Sequence, residues 1–270
     1  MKRAELIEQI KIKKSYLCVG LDSDISKIPM HLHKKKDPVF EFNKQIIDAT
    51  LPYAVSYKVN TAFYESNGLA GWESMQKTLA YLPKEVLSIA DAKRGDIGNT
   101  AAHYAKTFFE TLPFDAITLA PYMGKDTIEP FLKYENKWSI LLALTSNPGA
   151  ENFEMLATGG HKVYEEVLIQ SSAWGSIENM MYVVGATRPE YIQGIRKLIP
   201  NHFLLVPGIG AQGGDLKELS KAGLTADISL LVNASRSIIF ADGSENFAHA
   251  AALEAKKVQM EMEALMKDIL

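Results

Sequence analysis

A (β/α)8 barrel is the fold class that this sequence predicts, and three observations favour it. Eight short apolar runs rich in β-branched residues recur along the 270 residues. Segments with helical spacing lie between them, and no linker divides the chain. Polar residues stand at or just past the carboxyl ends of the runs. A barrel gathers those ends in one ring, the face on which such enzymes carry their active sites, whereas the alternative, a doubly wound open sheet, spreads them along an edge.

The eight runs define the expected elements. Strands are predicted at 16–22, 55–60, 86–91, 116–120, 139–146, 180–186, 203–210 and 227–236. Helical spacing is clearest in segments 39–49, 69–79 and 247–265, and an amphipathic pattern in 1–16 predicts a further helix at the N-terminus. We therefore expect a single domain, residues 1–270, formed by the barrel and this N-terminal helix.

The composition excludes several classes of protein. The chain is 47% hydrophobic with a formal net charge of −3, and both signs of charge are spread throughout, which gives no electrostatic basis for binding nucleic acid or an anionic membrane. No stretch approaches the roughly 20 apolar residues that span a bilayer, and the N-terminus lacks a signal-peptide core. The single cysteine, Cys18, forms no disulfide framework, so we expect a cytoplasmic protein in a reducing environment.

Polar residues at the ends of the runs form the candidate site. They are Asp22, Lys58, Asp91, Lys93, Ser146, Gly208, Gly210 and Arg236. Alternate side chains of a strand point to the same side, so Asp91 and Lys93 are expected on one face, with Asp22 and Lys58 pointing inward beside them. One charged pair at a strand end is equally well explained by a salt bridge that caps the barrel. Burying a lysine is costly unless it is paired, however, and the convergence of four charges predicts a functional centre.

A glycine-rich segment, 208–214, follows the seventh run and predicts a phosphate site. Its glycines have the spacing of a dinucleotide fingerprint, but the eighth run ends without the acid that binds a ribose. Glycines allow backbone N–H groups to approach an anion, and the N-terminus of the following helix favours negative charge. Barrels often bind phosphate with the loops after strands seven and eight, and Arg236 ends the eighth run. We expect a phosphate monoester here, a tight turn being the alternative.

Two further features are less informative. Ser146 lies in 145-TSNPGA-150, beside a Pro-Gly turn, where it is able to read the edge of a planar base. His31 and His33 have an alternating spacing, but they precede three lysines in a polar segment without further ligands, so a solvated loop is expected. Neither a Cys/His cluster nor an HExxH helix is present, and no metal site is predicted.

Taken together, the motifs resemble those of the orotidine 5′-phosphate decarboxylase family, in its longer branch. In the family's order the chain carries 20-GLD-22, 58-KVN-60, 91-DAKRGDIGNT-100, 145-TSNPG-149, 207-PGIGAQGGD-215 and 233-NASR-236. The central motif is specific only to the superfamily, because related sugar-phosphate decarboxylases share Asp-x-Lys-x-x-Asp; the combination is more specific. The resemblance extends over almost the whole chain and implies decarboxylation of orotidine 5′-phosphate (OMP) to UMP in pyrimidine synthesis, without a cofactor or metal.

The resemblance also implies a role for each site residue. Lys93 is implied to be the proton donor, Asp91 to face the leaving carboxylate, and Asp96 to act in the neighbouring subunit's site of a homodimer. Asp22 and Lys58 are implied to hold the ribose hydroxyls, and Lys58 is also implied to be catalytic as part of the alternating charge network. The other substrate contacts that it implies, to the pyrimidine, the phosphate and the end of the central motif, are Ser146, Gly208, Gly210, Gln212, Gly213, Arg236 and Thr100.

Two other functions stay open on the sequence alone. One is a related sugar-phosphate enzyme, such as the magnesium-dependent 3-keto-gulonate 6-phosphate decarboxylase or an aldolase relative, which chelation would inactivate. The other is a barrel that binds a phosphate ligand such as UMP without catalysis. The chain shows no sign of an electron-sink cofactor such as pyridoxal phosphate or thiamine, so the expected chemistry is electrostatic stabilisation and proton delivery by side chains.

Overall fold

Eight parallel strands close into a barrel in the computed structural model, which describes residues 1–185, 189–208, 215–267 and 269. The barrel strands are β1 (Leu17–Gly20), β2 (Ala54–Asn60), β3 (Leu87–Arg94), β4 (Ala116–Leu119), β5 (Trp138–Leu144), β8 (Met180–Val184), β9 (Phe203–Pro207) and β10 (Leu230–Ala234). The remaining two strands, β6 (Ala157–Thr158) and β7 (His161–Lys162), form a separate antiparallel hairpin. Because β1 pairs with both β2 and β10, the ring is closed and the predicted barrel is confirmed.

Helices precede, separate and follow the barrel strands. They are α1 (Arg3–Lys13), α2 (Pro38–Thr50), α3 (Ala62–Glu65), α4 (Gly68–Tyr81), α5 (Gly98–Lys106), α6 (Glu129–Leu132), α7 (Val163–Ser171), α8 (Pro189–Leu198), α9 (Leu216–Gly223), α10 (Arg236–Ile239) and α11 (Phe247–Met266). The segments predicted from helical spacing correspond to α2, α4 and α11, and the N-terminal pattern to α1. No helix within the described ranges is both long and apolar enough to cross a membrane.

Two sets of contacts fasten the outer helices. Phe42 of α2 stacks on Phe240 and on Phe247 of α11, with ring centroids 5.5 and 5.1 Å apart, and such aromatic pairs add about 0.5–1.5 kcal/mol beyond the area that they bury. At the amino ends of the strands, the N-terminal ammonium of Met1 lies 2.8 Å from Asp115 Oδ1. Helix α1 therefore lies at the end of the barrel opposite the candidate site.

The strands end earlier than several of the apolar runs. Lys58, Asp91 and Lys93 lie inside strands. The other candidate residues within the described ranges follow strand ends; they are Asp22, Ser146, Gly208 and Arg236. The site thus combines rigid strand positions with loops on the same rim.

Segment 23–37 is folded against the barrel; His33 and the three lysines after it are exposed, as expected, whereas His31 is half-buried. The segment forms two 3-10 turns, Ile25–Lys27 and Met30–Lys34, and Leu32 is buried. The ring of His31 packs against Phe247 with centroids 6.0 Å apart. His33 stays exposed and its Nε2 lies 3.0 Å from the carbonyl oxygen of Ile28. The apolar residues between the charges anchor this segment.

Candidate functional site

Four charged side chains meet at the carboxyl end of the barrel, as the strand alternation led us to expect. Lys58 Nζ lies 2.7 Å from Asp91 Oδ2 and 3.7 Å from Asp22 Oδ1. Lys93 Nζ lies 2.6 Å from Asp91 Oδ1. The charges therefore alternate in the order Asp22, Lys58, Asp91, Lys93, so that each lysine has a carboxylate partner and Asp91 has two ammonium partners.

Lys58 is the buried cation of this network, with a side chain only 5% exposed. Burial alone would lower its pKa, but Asp91 and Asp22 outweigh that effect and raise the pKa of Lys58 above its ordinary value. Removing one partner of a buried ion pair leaves an uncompensated charge, which is strongly destabilising. Lys58 therefore stays protonated and holds two carboxylates at fixed positions.

Asp91 is the centre of the network and is 10% exposed. Burial alone would raise its pKa, but the ammonium groups of Lys58 and Lys93 hold the pKa of Asp91 well below its usual range. Its Oδ1 atom also accepts a hydrogen bond from Thr118 Oγ1, at 3.0 Å. With three donors, Asp91 is an ionised carboxylate whose orientation is fixed.

Lys93 stands at the mouth of the barrel, and its side chain is 50% exposed. It reaches this position through an irregularity, because its backbone φ is 46°, in the left-handed region that non-glycine residues seldom adopt. The pairing of β3 with β4 shifts between Ala90 and Arg94. The expectation that simple alternation places Lys93 beside Asp91 is thus corrected: both side chains reach the site, but through a bulge.

Asp22 follows β1 and is held by the residues on either side of it. Tyr64 Oη donates to the carbonyl oxygen of Leu21 (3.1 Å), and Ser23 Oγ donates to Asn43 Oδ1. The Oδ1 atom of Asp22 is buried and has no hydrogen-bond partner within the described part of the chain. Buried polar atoms are usually hydrogen-bonded, so a carboxylate oxygen that has only a 3.7 Å ion pair with Lys58 is suited to accept a hydrogen bond from a hydroxyl of a ligand.

Asp96 and Thr100 lie past the end of β3, away from the four charges. The carboxylate of Asp96 is half-buried and accepts a hydrogen bond from Ile97 N at 2.8 Å. Thr100 is exposed on α5. Among the residues that the structure describes, no hydrogen bond or ion pair joins either side chain to Asp22, Lys58, Asp91 or Lys93.

Ser146 lies on the same rim, in the loop after β5. The preceding residue, Thr145, is held by Glu154, whose two carboxylate oxygens accept from Thr145 N (2.7 Å) and Thr145 Oγ1 (2.8 Å). Gly185 approaches so closely that a Cβ there would stand 2.9 Å from the backbone N of Ser146. Ser146 lines a cavity of about 410 Å³ between the loops that follow β5 and β8.

The expected phosphate site is described only at its two ends. Gly208 follows β9 with a φ of 104°, a conformation that is strained for any residue with a Cβ. Arg236 is exposed at the start of α10. The other predicted residues, Gly210, Gln212 and Gly213, lie in 209–214, outside the described residues.

Helix α9 corrects one expectation about phosphate binding. Its N-cap residue, Asp215, accepts hydrogen bonds from the backbone N of Lys217 (2.8 Å) and of Glu218 (3.2 Å). Two of the first-turn amide groups that were expected to favour an anion are thus already paired with a carboxylate of the chain itself.

Two features of the site were missed in the sequence. Thr118 of β4 contacts both Asp91 and Lys93, and its signal was a hydroxyl residue within the apolar run 116–120. Arg94 forms an ion pair with Glu65, and its guanidinium carbon lies 5.4 Å from the centroid of the Tyr104 ring. These contacts hold the end of β3 from both sides, and no short motif marks them.

Comparison of the sequence with known proteins identifies the family of the chain. The profile of the orotidine 5′-phosphate decarboxylase / HUMPS family matches residues 15–251. The chain is 57% identical over 270 residues to the orotidine 5′-phosphate decarboxylase of Phocaeicola vulgatus, covering 98% of this chain and 99% of that protein. It is 55% identical over 274 aligned residues to the protein of the same name from Bacteroides fragilis, with 100% of both chains covered.

A solved structure agrees with the sequence comparison. The OMP decarboxylase of Leishmania donovani superposes with a TM-score of 0.81 at 35% identity, covering 96% of this chain and 99% of that chain. The profile spans all eight barrel strands, and the relatives match nearly end to end. The resemblance inferred from the motifs is confirmed, and the chain belongs to the orotidine 5′-phosphate decarboxylase / HUMPS family.

Proposed function

We propose that this chain catalyses the cofactor-independent decarboxylation of orotidine 5′-phosphate to UMP and CO2, a step of pyrimidine synthesis. The observation that carries the proposal is Asp91, an ionised carboxylate held between a buried ammonium, Lys58, and a half-exposed one, Lys93. A substrate at the barrel mouth meets a fixed negative charge and a cation side by side. The negative charge faces the substrate carboxylate, which leaves as neutral CO2, and the cation faces the negative charge that forms on C6.

The proton is assigned to Lys93. When the bond between C6 and the carboxylate carbon breaks, its electron pair stays on C6 in the plane of the ring, where the π system does not delocalise it. A preorganised cation stabilises this charge more effectively than water does. The ammonium of Lys93 then transfers a proton to C6, forming the new C–H bond, and the neutral amine is reprotonated from solvent.

Asp91 acts on the ground state of the substrate. A substrate carboxylate at about 4 Å from Asp91 would be repelled by roughly 4 kcal/mol at an effective dielectric constant of about 20. Departure of neutral CO2 removes that repulsion. The low pKa of Asp91 supports this role, since a protonated Asp91 would exert no such repulsion. Binding of the remote phosphate supplies free energy that offsets the cost.

The remaining residues are assigned to substrate binding. Asp22 and Lys58 take the ribose hydroxyls, which is supported by the absence of a hydrogen bond to Asp22 Oδ1 among the described residues. Ser146, at the edge of its cavity, takes the pyrimidine. The phosphate is assigned to the side chains of Gln212 and Arg236 and the backbone of Gly208, Gly210 and Gly213. We assign no metal to the site.

A homodimer with shared active sites completes the proposal, with Asp96 entering the partner's site and Thr100 assigned to substrate binding. Neither side chain contacts the four charges of its own chain. The neighbouring surface supports a protein contact, because it exposes three large apolar side chains, Ile97, Tyr122 and Met123, and Tyr122 is 90% exposed. The buried free thiol of Cys18 supports a reducing, cytoplasmic location.

Turnover without a divalent metal is the first test of this function. Purified protein dialysed against EDTA is expected to convert OMP to UMP at its full rate, followed by absorbance, because the charge network consists of two lysines and two aspartates that pair with each other. Loss of activity with EDTA and recovery with Mg²⁺ would instead indicate a metal-dependent relative of the family. Tight UMP binding with no turnover of OMP would indicate a binding protein.

Replacing Arg236 by alanine is expected to lower kcat/KM for substrates that carry the phosphate. A charge-assisted hydrogen bond to phosphate contributes about 1.5–3 kcal/mol, so kcat/KM for OMP should fall roughly 10- to 150-fold. The nucleoside orotidine, which lacks the phosphate, should be processed as by the wild type. Lys257→Ala, which removes a charge from an exposed part of α11, is the control. Equal losses for both substrates would place Arg236 outside the phosphate site.

A further inference from the structure

We propose that Thr118 is a positioning residue that sets the geometry between Asp91 and Lys93. Its hydroxyl oxygen accepts a hydrogen bond from Lys93 N (2.9 Å) and donates one to Asp91 Oδ1 (3.0 Å). One atom of β4 thereby connects the backbone of one residue to the carboxylate of the other. The proposal rests on the proposed function, since it assigns Thr118 to the same reaction.

The irregular pairing of β3 and β4 explains why this hydroxyl is needed. Ala90 pairs with Ile117 and Arg94 pairs with Leu119, so three residues of β3 lie opposite Thr118 alone. A bulge leaves extra backbone groups without ladder partners and bends the strand. Lys93 N is such a group, and the Thr118 hydroxyl is its acceptor. The left-handed backbone at Lys93 is thus held in place by a side chain of the neighbouring strand.

The direction of both hydrogen bonds is fixed by chemistry. A backbone N–H only donates, and an ionised carboxylate only accepts, so the hydroxyl proton must point to Asp91. Asp91 Oδ1 consequently receives the hydroxyl and the Lys93 ammonium together. If the Asp91 carboxylate rotates away from Thr118, the hydrogen bond between them breaks. If the end of β3 moves away from Thr118, the hydrogen bond from Lys93 N breaks.

Thr118 acts through its neighbours and not on the substrate. It is 1% exposed, beneath the two charged residues. Its removal should therefore displace the reacting groups while the ribose and phosphate contacts stay intact. Small displacements of reacting groups are costly, about 100-fold in rate for roughly 1 Å. The expected signature is a loss in kcat with little change in KM.

The test compares Thr118→Val, which keeps the shape and removes the hydroxyl, with Thr118→Ser, which keeps the hydroxyl and removes the methyl group. Thr118→Val should lower kcat for OMP roughly 10- to 100-fold, with KM and the Kd for UMP within about threefold of wild type. Thr118→Ser should recover kcat to within about threefold. The matched control is Thr50→Val on α2. It removes a fully buried hydroxyl that forms hydrogen bonds with Ile46 O and with Tyr57 Oη of β2.

The outcomes separate this proposal from the proposed function. Wild-type turnover of OMP tests the function on its own, whatever the variants do. Given that turnover, wild-type kcat in Thr118→Val, or an equal loss in Thr118→Ser, would show that the hydroxyl does not position the pair. A rise in KM and in the Kd for UMP that accounts for the whole loss would also overturn it. Should Thr118→Val fail to fold, Thr118→Ala is held to the same criteria.

Discussion

Lys93→Ala is expected to abolish turnover of OMP almost completely while the protein stays folded. The change removes both the cation that stabilises the carbanion at C6 and the proton that quenches it. General acid catalysis alone contributes about 10²–10⁴-fold, so kcat should fall by more than roughly 100-fold. The side chain is half-exposed and Asp91 keeps Lys58 as a partner at 2.7 Å, so the fold should lose little stability.

The measurements are kcat from absorbance, the thermal midpoint, and the Kd for UMP. Lys221→Ala is the matched control, because that lysine is 59% exposed and also lies near a carboxylate, 2.9 Å from Glu218, but belongs to α9. We expect wild-type kcat from the control and a wild-type thermal midpoint from both variants. More than about a hundredth of the wild-type kcat in folded Lys93→Ala would mean that another group donates the proton.

The charged centre was predictable because it depends on strand ends. Parallel barrel strands bring their carboxyl ends to one face, and the first three runs end in or near the charged residues Asp22, Lys58 and Asp91. Lys58 and Asp91 lie where β2 and β3 pair in regular register, so counting alternate residues placed them correctly. No knowledge of the loops was required for that pair.

The bulge at Lys93 was not predictable from local pattern. It depends on how β3 pairs with β4, and the sequence 91-DAKR-94 reads as ordinary alternation. The positive φ of Lys93 is stabilised from β4, by the hydroxyl of Thr118, so its cause lies 25 residues further along the chain. Tertiary contacts of this kind leave no periodic signal.

The loops, too, were predictable from the sequence only in part. Segment 23–37 reads as polar because of its lysines, yet Ile28 and Leu32 are buried and anchor it. The β6–β7 hairpin did carry a signal, the pair Gly159-Gly160, whose φ values of 58° and 97° suit a two-residue turn between strands. Short strands on a long loop are outweighed by the eight longer runs, which explains why the hairpin was missed.

The second large effect concerns Asp96 and a dimer. Asp96→Ala is expected to be nearly inactive, like Lys93→Ala, because the proposed function assigns its carboxylate to the charge network of the partner's site. Within its own chain Asp96 bonds to the adjacent backbone, at Ile97 N, and stands beside exposed apolar residues. In a two-fold dimer the same patch serves both subunits, so each Asp96 would reach the other site.

Mixing the two inactive variants is therefore expected to restore activity. A mixed dimer has one site that lacks both groups and one site in which Lys93 and the partner's Asp96 are intact. Random pairing makes about half of the dimers mixed, so about a quarter of all sites should work after unfolding, mixing and refolding. Mixed dimers isolated through two different affinity tags should reach about half of the wild-type kcat per subunit.

In the control, Lys93→Ala is mixed with a double variant that carries Lys93→Ala and Asp96→Ala in the same chain. Its mixed dimers have no site with Lys93, so no activity should return even though dimers form equally well. Isolated mixed dimers of the two single variants that stay inactive would show that Asp96 acts within its own subunit. Recovery confined to the single-variant mixture would establish that each active site is built from two chains, with the ammonium of Lys93 supplied by one chain and the carboxylate of Asp96 by the other.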